Sequence, residues 1–279
     1  MTDSTSGVAS ARPVAAVTGS RQGIGRGIAL ALAARGYDLV LIDIAEDDTA
    51  RRTLQELSAL GARAAFIAAD IARAEDADAL ARQAFDAFGN IHCLVNNAGV
   101  QALNKSADVL DTTLESFDRV LGINLRGTFF VTQAFARRMV KQGAQDAHLR
   151  SIITISSINA EQARTKTPEY CISKSGLSML NKIFAVRLAR EGIACFEVLP
   201  GLVETDMTAG RRGMLDKLVE GGLSPISRWG QPRDIGEAVA SLAGGAIPFC
   251  TGEALHIDGG MHIPRSALEP AYMRPLLEG

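Results

Sequence analysis

The chain has 279 residues, with 29 Lys and Arg against 31 Asp and Glu, and 47% of its residues are hydrophobic. That length suffices for one α/β domain with a large core, and a formal net charge of −2 offers no electrostatic footprint for nucleic acid. Cys93, Cys171, Cys195 and Cys250 are widely spaced without a C-x-x-C pair and read as reduced thiols. No apolar run approaches the ~20 residues of a membrane helix, so a cytoplasmic protein with no membrane partner is expected.

Residues 1–12 are small and polar, without the apolar centre of a leader peptide, and read as a disordered tail before a single domain over 13–263. The first strand, 14–18, runs into Gly19-Ser20-Arg21-Gln22-Gly23-Ile24-Gly25 and then into an Ala-rich helix. Strand, glycine-rich turn and helix N-terminus make a phosphate site, because the backbone can come close and unpaired N–H groups favour a pyrophosphate. The spacing is G-x-x-x-G-x-G rather than G-x-G-x-x-G.

A second strand, 38–43, ends on Asp43, eighteen residues past Gly25. An acidic group there accepts hydrogen bonds from the adenosine ribose and repels a 2′-phosphate, which favours NAD(H). Arg21 inside the glycine-rich turn pulls the other way and leaves NADP(H) open. Helix 48–60, strand 64–68, helix 75–88 and strand 91–95 follow, with His92 read as a packed or edge residue. A long helical pattern over 114–142 is expected to be broken, and residues 143–150 read as a polar loop. The four histidines show no metal-ligand spacing, and no metal is expected.

The run 151–156 is short and β-branched, as in a buried parallel strand, and it delivers Ser157 to the sheet end where open α/β folds bind ligands. A hydroxyl there can stabilise charge developing on a substrate oxygen. Ser156 is as well placed, and the thirteen-residue offset to Tyr170 selects Ser157. Helix 168–190 starts with Thr167 as N-cap and Pro168 at the first helical position. It puts Tyr170 and Lys174 on one face, one turn apart. A phenol titrates near pH ~10 and is a poor base at neutrality, so an adjacent ammonium is expected to pull it down. Cys171 points elsewhere on the helix. Strands 194–199 and 254–257, helix 233–243 and a lid over 208–224 carrying Arg211, Arg212 and Lys217 complete the pattern. Residues 264–279 hold Pro264, Pro270 and Pro275 and read as a tail or as an arm over a neighbouring subunit.

Over 14–260 the chain resembles a short-chain dehydrogenase/reductase. The resemblance rests on Thr18 to Gly25, Asn96-Asn97-Ala98-Gly99, Asn124, the Ser157/Tyr170/Lys174 set, Pro200-Gly201 and Asp258-Gly259-Gly260. It implies a Rossmann-like, doubly wound, seven-stranded parallel sheet in the order 3-2-1-4-5-6-7, with helices on both faces. The expected cofactor set is Gly19, Arg21, Gln22, Gly23, Ile24, Gly25, Asp43, Asp70, Ile71, Asn97, Ala98, Gly99, Tyr170, Lys174, Pro200, Gly201, Val203 and Thr205. Within it, the resemblance gives Asp70 to the adenine, with Ile71 packed nearby, and Thr205 to the carboxamide. It also makes Asn124, Ser157, Tyr170 and Lys174 catalytic. Tyr170 moves the proton, Ser157 orients the substrate oxygen, Lys174 binds ribose hydroxyls, and Asn124 holds a water joining Lys174 to solvent. NADP(H)-preferring members commonly carry Arg just before the second glycine, where Gln22 stands here.

Within the family the chain is most similar in look to the 3-oxoacyl-[acyl-carrier-protein] reductases of fatty acid biosynthesis. The segments Pro200 to Thr208 and Arg228 to Pro232 carry that likeness. Members of that branch often use NADPH and dock an acidic carrier on basic residues. Asp43 departs from this, as does Glu191 before Gly192, although Arg187 and Arg190 are close. An NAD-dependent sugar, polyol or other small-alcohol dehydrogenase is therefore the alternative. A catalytically inactive dinucleotide-binding protein is the alternative of another class, opposed by the joint presence of Asn124, Ser157, Tyr170 and Lys174. By resemblance a homotetramer, a dimer of dimers, is expected.

Overall fold

The computed structural model describes residues 12–104, 108–144, 147–209 and 212–264. Both predicted tails, except Arg12 and Pro264, lie outside the described residues, as do Arg211 and part of the polar loop at 143–150. Seven strands form one parallel sheet in the order β3-β2-β1-β4-β5-β6-β7. They are β1 (Val14–Thr18), β2 (Asp38–Asp43), β3 (Ala64–Ala68), β4 (Cys93–Asn96), β5 (Arg150–Ile155), β6 (Ile193–Pro200) and β7 (Glu253–Ile257).

Alternate residues of the central strands feed two cores. Val14, Ala16, Val40, Ile42, Leu94 and Ile152 pack on one face, and Ala15, Val17, Leu39, Leu41, Val95 and Ile153 on the other. Burial on both faces is why these strands read as continuous apolar runs. The first core is completed by α3 (Ala77–Phe88), α5 (Thr128–Gln142) and α6 (Pro168–Leu188), the second by α1 (Gly23–Ala34) and α9 (Pro232–Ala243). Helix α2 (Asp48–Ala59) buries Leu57 in the second core.

Strand β4 starts two residues later than expected. His92 stands just before it, buried, with Nδ1 accepting the Val14 N–H at 2.9 Å, so its ring takes up a ladder donor. The helical pattern over 114–142 is indeed broken. Helix α4 (Leu114–Leu121) passes into a π-helical turn, Gly122–Gly127, before α5. Helix α6 begins with Pro168 at its first turn, but Thr167 does not cap it through its side chain. The Thr167 hydroxyl is buried without a hydrogen-bond partner among the described residues, because the backbone at this position (φ −150°, ψ 56°) does not aim it at the helix. The lid segment holds two short helices, α7 (Asp206–Ala209) and α8 (Arg212–Glu220). Among the described residues no helix is long and apolar enough to cross a membrane.

Strand order reverses between β1 and β4, and a crevice opens there beyond the carboxyl ends of the strands, the usual ligand site of such sheets.

Candidate active site

A cavity of about 700 Å³ fills that crevice, a size suited to a cofactor with its substrate. Every sequence-predicted cofactor residue lines it: Gly19, Arg21, Gln22, Gly23, Ile24 and Gly25 from the turn after β1, Asp43 from β2, and Asp70 and Ile71 after β3. Asn97, Ala98 and Gly99 enter after β4, Tyr170 and Lys174 from α6, and Pro200, Gly201, Val203 and Thr205 from the end of β6.

The glycine-rich turn is clamped to the end of β4. Asn97 Nδ2 donates to the carbonyls of Thr18 and Gly19, both at 2.9 Å, and Thr18 Oγ1 accepts the N–H groups of Asn97 and Ala98 at 3.0 Å. Gly19 has φ +64°, the left-handed region, and a Cβ there would lie 2.8 Å from Ala98 Cα. At Gly25 a Cβ would lie 2.1 Å from the Gly19 carbonyl oxygen, closer than any side chain tolerates. Gln22 occupies the N-cap of α1 but makes no side-chain cap bond, and the first-turn residues Gly23, Ile24 and Gly25, whose N–H groups have no partner within the helix, line the cavity. Bare backbone and an uncapped helix N-terminus fit a pyrophosphate.

Asp43 closes the far end. Its Oδ2 accepts the Arg21 N–H at 3.0 Å and its Oδ1 the Ile44 N–H at 2.8 Å. The Arg21 guanidinium turns to Asp43, Nε to Oδ1 at 3.4 Å, and pairs with Asp47 through Nη1.

At the other end stand Ser157, Tyr170 and Lys174. Lys174 Nζ donates to the Ile155 carbonyl at 3.0 Å and lies 5.6 Å from the centre of the Tyr170 ring. Burial pushes the Tyr170 phenol up to about 12, and the Ser157 hydroxyl, hydrogen-bonded to it, holds it down only in part. Burial also pushes Lys174 down to about 8, against the Glu197 carboxylate, which raises it. The expected lowering of Tyr170 by Lys174 is therefore not what this structure shows. A buried site disfavours both charges, so the phenol keeps its proton and the Lys174 ammonium gives up its own more readily than an exposed lysine. Ser156 Oγ, in contrast, donates to the Val198 carbonyl at 3.4 Å.

Asn124 does not line the cavity wall. Lodged in the π-helical turn and fully buried, it accepts the Val100 N–H through Oδ1 at 2.8 Å. Its Nδ2 donates to the Val100 carbonyl at 3.0 Å and to Ser173 Oγ at 3.1 Å. It thus ties Val100, in the loop after β4, to α6, and Ser173 passes the link to the Tyr170 carbonyl at 2.8 Å.

Several wall residues were not singled out from sequence. Gln101, Asn159, Gln162 and Arg164 flank the Ser157 end, and Met207, Leu215, Leu218, Leu223 and Met261 give it an apolar side. Leu215, Leu218 and Leu223 belong to the predicted lid, of whose three cations Arg211 lies outside the described residues. Arg212 pairs with Glu204 and lies over the Trp229 ring, which accounts for it without a substrate. Cys171 is half-buried and points its thiol at the Gln162 carbonyl, 3.7 Å away.

A parallel sheet in this order, a glycine-rich turn built for pyrophosphate and a Ser/Tyr/Lys cluster in one crevice define a dinucleotide-dependent oxidoreductase. Comparisons agree. A family model described as enoyl-(acyl carrier protein) reductase matches residues 19–262. The crystal structure of a 3-oxoacyl-[acyl-carrier protein] reductase from Brucella melitensis in complex with NAD superimposes with a TM-score of 0.87 at 46% identity, covering 92% of this chain and 99% of that one. An L-rhamnose 1-dehydrogenase (NAD(P)(+)) from Sphingomonas sp. (strain SKA58) is 32% identical, over 88% of this chain and 95% of its own length. A 3-oxoacyl-[acyl-carrier-protein] reductase FabG from Staphylococcus aureus (strain Mu50 / ATCC 700699) is 33% identical, over 89% and 98%. The chain belongs to the short-chain dehydrogenase/reductase family, whose members are oxidoreductases that use NAD(P).

Proposed function

We propose that the protein interconverts a ketone and a secondary alcohol by hydride transfer with NAD(H), and that 3-oxoacyl compounds are its first substrate class. The observation that carries the reaction is the convergence of Ser157, Tyr170 and Lys174 on one end of a cavity whose other end is the glycine-rich turn and Asp43. When bound, the dinucleotide supplies or accepts the hydride. Tyr170, protonated at neutral pH as any phenol is and held more firmly so by its burial, hands its proton to the carbonyl oxygen as that oxygen gains charge. Ser157 donates to the same oxygen and stabilises it. Lys174, held by the Ile155 carbonyl, faces the ribose hydroxyls, and Asn124 positions the segment on which it rests. Asp43 receives the adenosine ribose hydroxyls, Asp70 and Ile71 the adenine, and Thr205 the carboxamide.

The apolar wall of Met207, Leu215, Leu218 and Leu223 supports an acyl chain. A second reading, a dehydrogenase of sugars, polyols or other small alcohols, is favoured by one observation. Glu191 stands where the 3-oxoacyl reductase branch carries a basic residue, and it pairs with the neighbouring Arg187 at 2.9 Å, which weakens the positive charge offered to an acidic carrier. Turnover measured with a 3-oxoacyl group on its carrier protein, on coenzyme A and on N-acetylcysteamine, beside a panel of sugars and secondary alcohols, separates the two. Reduction of the 3-oxoacyl thioesters supports the first, with carrier dependence showing whether the carrier protein itself is recognised, and oxidation of sugars or alcohols without thioester reduction supports the second. We further propose a homotetramer, on the strength of the exposed apolar side chains of α5 and α6, and a cytoplasmic setting, on the strength of the four free cysteines.

A further inference from the structure

We propose that Asp47, which lies outside the cavity wall, sets the dinucleotide preference by holding the Arg21 guanidinium away from the adenosine 2′ position. The proposal rests on the cavity being the dinucleotide site. Arg21 and Asp43 line the cavity and Asp47 does not, so any influence of Asp47 on the ligand passes through Arg21.

The contacts are specific. Asp47 is the N-cap of α2, where its Oδ1 accepts the N–H groups of Thr49 and Ala50, both at 3.0 Å. That leaves Oδ2 for Nη1 of Arg21. The Ala50 N–H first, and the Arg21 charge with it, hold the Asp47 carboxyl below its ordinary value, so it is an anion throughout the neutral range. The backbone of Arg21 is pinned as well. Its N–H donates to Asp43 Oδ2 at 3.0 Å, and its carbonyl accepts Thr53 Oγ1 at 2.8 Å.

One guanidinium is thus shared between two carboxylates, and the three groups sum to one negative charge. Arginine is the side chain best suited to grip a phosphate through two parallel N–H donors. Here Nη1 is committed to Asp47 and Nε leans toward Asp43, so the guanidinium is turned to the two carboxylates, and only the longer 3.4 Å approach of Nε to Asp43 would restrain it if Asp47 were neutral. A 2′-phosphate arriving beside Asp43 meets repulsion that Arg21 cannot offset, while ribose hydroxyls meet an acceptor. Asp43 alone would repel the phosphate; Asp47 removes the compensating cation.

The structural use of Asp47 and its charge separate in one substitution, because Asn is as good an N-cap as Asp but neutral. Asp47→Asn, Arg21→Gln and the double variant are titrated by calorimetry, in the full chain, with NADH, NADPH, 5′-AMP and adenosine 2′,5′-bisphosphate. In Asp47→Asn, NADPH and the bisphosphate bind about tenfold tighter, and NADH and 5′-AMP stay within about twofold. The gain disappears in the double variant and shrinks with added salt. An unchanged NADPH to NADH ratio in folded Asp47→Asn, or a gain that survives Arg21→Gln, overturns the proposal, as does a wild type that already prefers NADPH. Asp47→Ser, which also keeps a capping oxygen, gives the same comparison should Asp47→Asn fold poorly. A wild type that binds none of the four ligands would instead remove the dinucleotide reading beneath the proposal.

Discussion

Lys174 places its ammonium 5.6 Å from the centre of the Tyr170 ring, yet burial rather than this cation governs the phenol. Tyr170 therefore keeps its proton at any physiological pH and is set up to donate it during reduction. Tyr170→Phe removes the donor and leaves the ring packing in place. A loss of turnover of about 10²–10⁴-fold is expected, with NADH affinity changed by less than about threefold. Steady-state kinetics beside a fluorescence titration check both, and full activity in the variant would dismiss Tyr170 as the proton donor.

Lys174 also makes a stability prediction. Its value falls from 10.5 to about 8 on burial, so between those values the folded protein binds fewer protons than the unfolded chain. The contribution of Lys174 to stability then rises with pH across about 8 to 10.5, and below 8 the cost of burying the ammonium is present in full. The buried Cys93 and Cys195 thiols, pushed up to about 12, add an opposing fall above about pH 9 in wild type and variant alike. Lys174→Met should abolish most of that rise and raise the urea midpoint at pH 7. Midpoints measured from pH 7 to 10 test it. An unaltered pH dependence in the variant would show that another group carries it.

The glycine-rich turn and the end of β4 interlock, and Gly25 is the tightest point. Gly25→Ala puts a methyl 2.1 Å from the Gly19 oxygen and must push the turn off the Asn97 side chain. Dinucleotide affinity is expected to drop at least about tenfold, with a loss of stability of roughly 1–3 kcal/mol from overpacking. Calorimetric titration and thermal unfolding of the variant give both quantities. Wild-type affinity in a folded variant would mean that the turn does not hold the pyrophosphate.

What could be read without coordinates was local. The turn after β1, Asp43 at a strand end and the Tyr170–Lys174 spacing each lie within one or two elements, and the cavity gathers them as expected. Quantities that depend on distant segments were not readable. The proton affinity of Tyr170 follows from how deeply α6 is covered, which no spacing reveals. Asn124 owes its place to a π-helical turn at the break in the helical pattern over 114–142, and the pattern shows that the helix is interrupted but not that the interruption is a π turn. Thr167 has the composition of a cap and the wrong backbone angles for one. Arg21 looked like a free cation in the turn, and only the approach of α2 shows that Asp47 has claimed it.

The buried carboxylate next to Tyr170 in sequence offers a sharper test of this packing. Glu169 is 3% exposed, its Oε1 accepts Ser116 Oγ at 2.5 Å, and its Oε2 has no partner among the described residues. The Ser116 hydroxyl also accepts the Leu103 N–H at 3.1 Å, so one side chain from α4 satisfies two groups at the mouth of α6. Ser116→Ala strands both, at a cost of about 1–3 kcal/mol for unmet buried polar groups. Because Glu169 precedes Tyr170 on the helix, kcat should fall with stability while KM for the dinucleotide holds. Chemical denaturation beside kinetics decides; a neutral substitution would mean that solvent reaches Glu169 once the hydroxyl is gone.

The faces of α5 and α6 turned away from the sheet give the last prediction. Phe130, Met179, Ile183 and Val186 stay 39%, 57%, 54% and 83% exposed, although each is large and apolar. A groove between them is lined by Leu121, Leu125, Phe129 and Phe130 on one side and Met179, Leu180 and Ile183 on the other. Single exposed apolar residues are ordinary, but a contiguous strip on two adjacent helices needs a cover. If a second copy supplies it, the strip meets itself across a two-fold axis, and each substitution acts twice in one interface. Ile183→Glu should then split the assembly, seen as a halved or quartered mass by light scattering at micromolar concentration. Activity would fall with it, since Tyr170 and Lys174 project from the same helix whose outer face has lost its support. A wild type that runs as a monomer at all concentrations would contradict the assembly and leave the strip to some other partner.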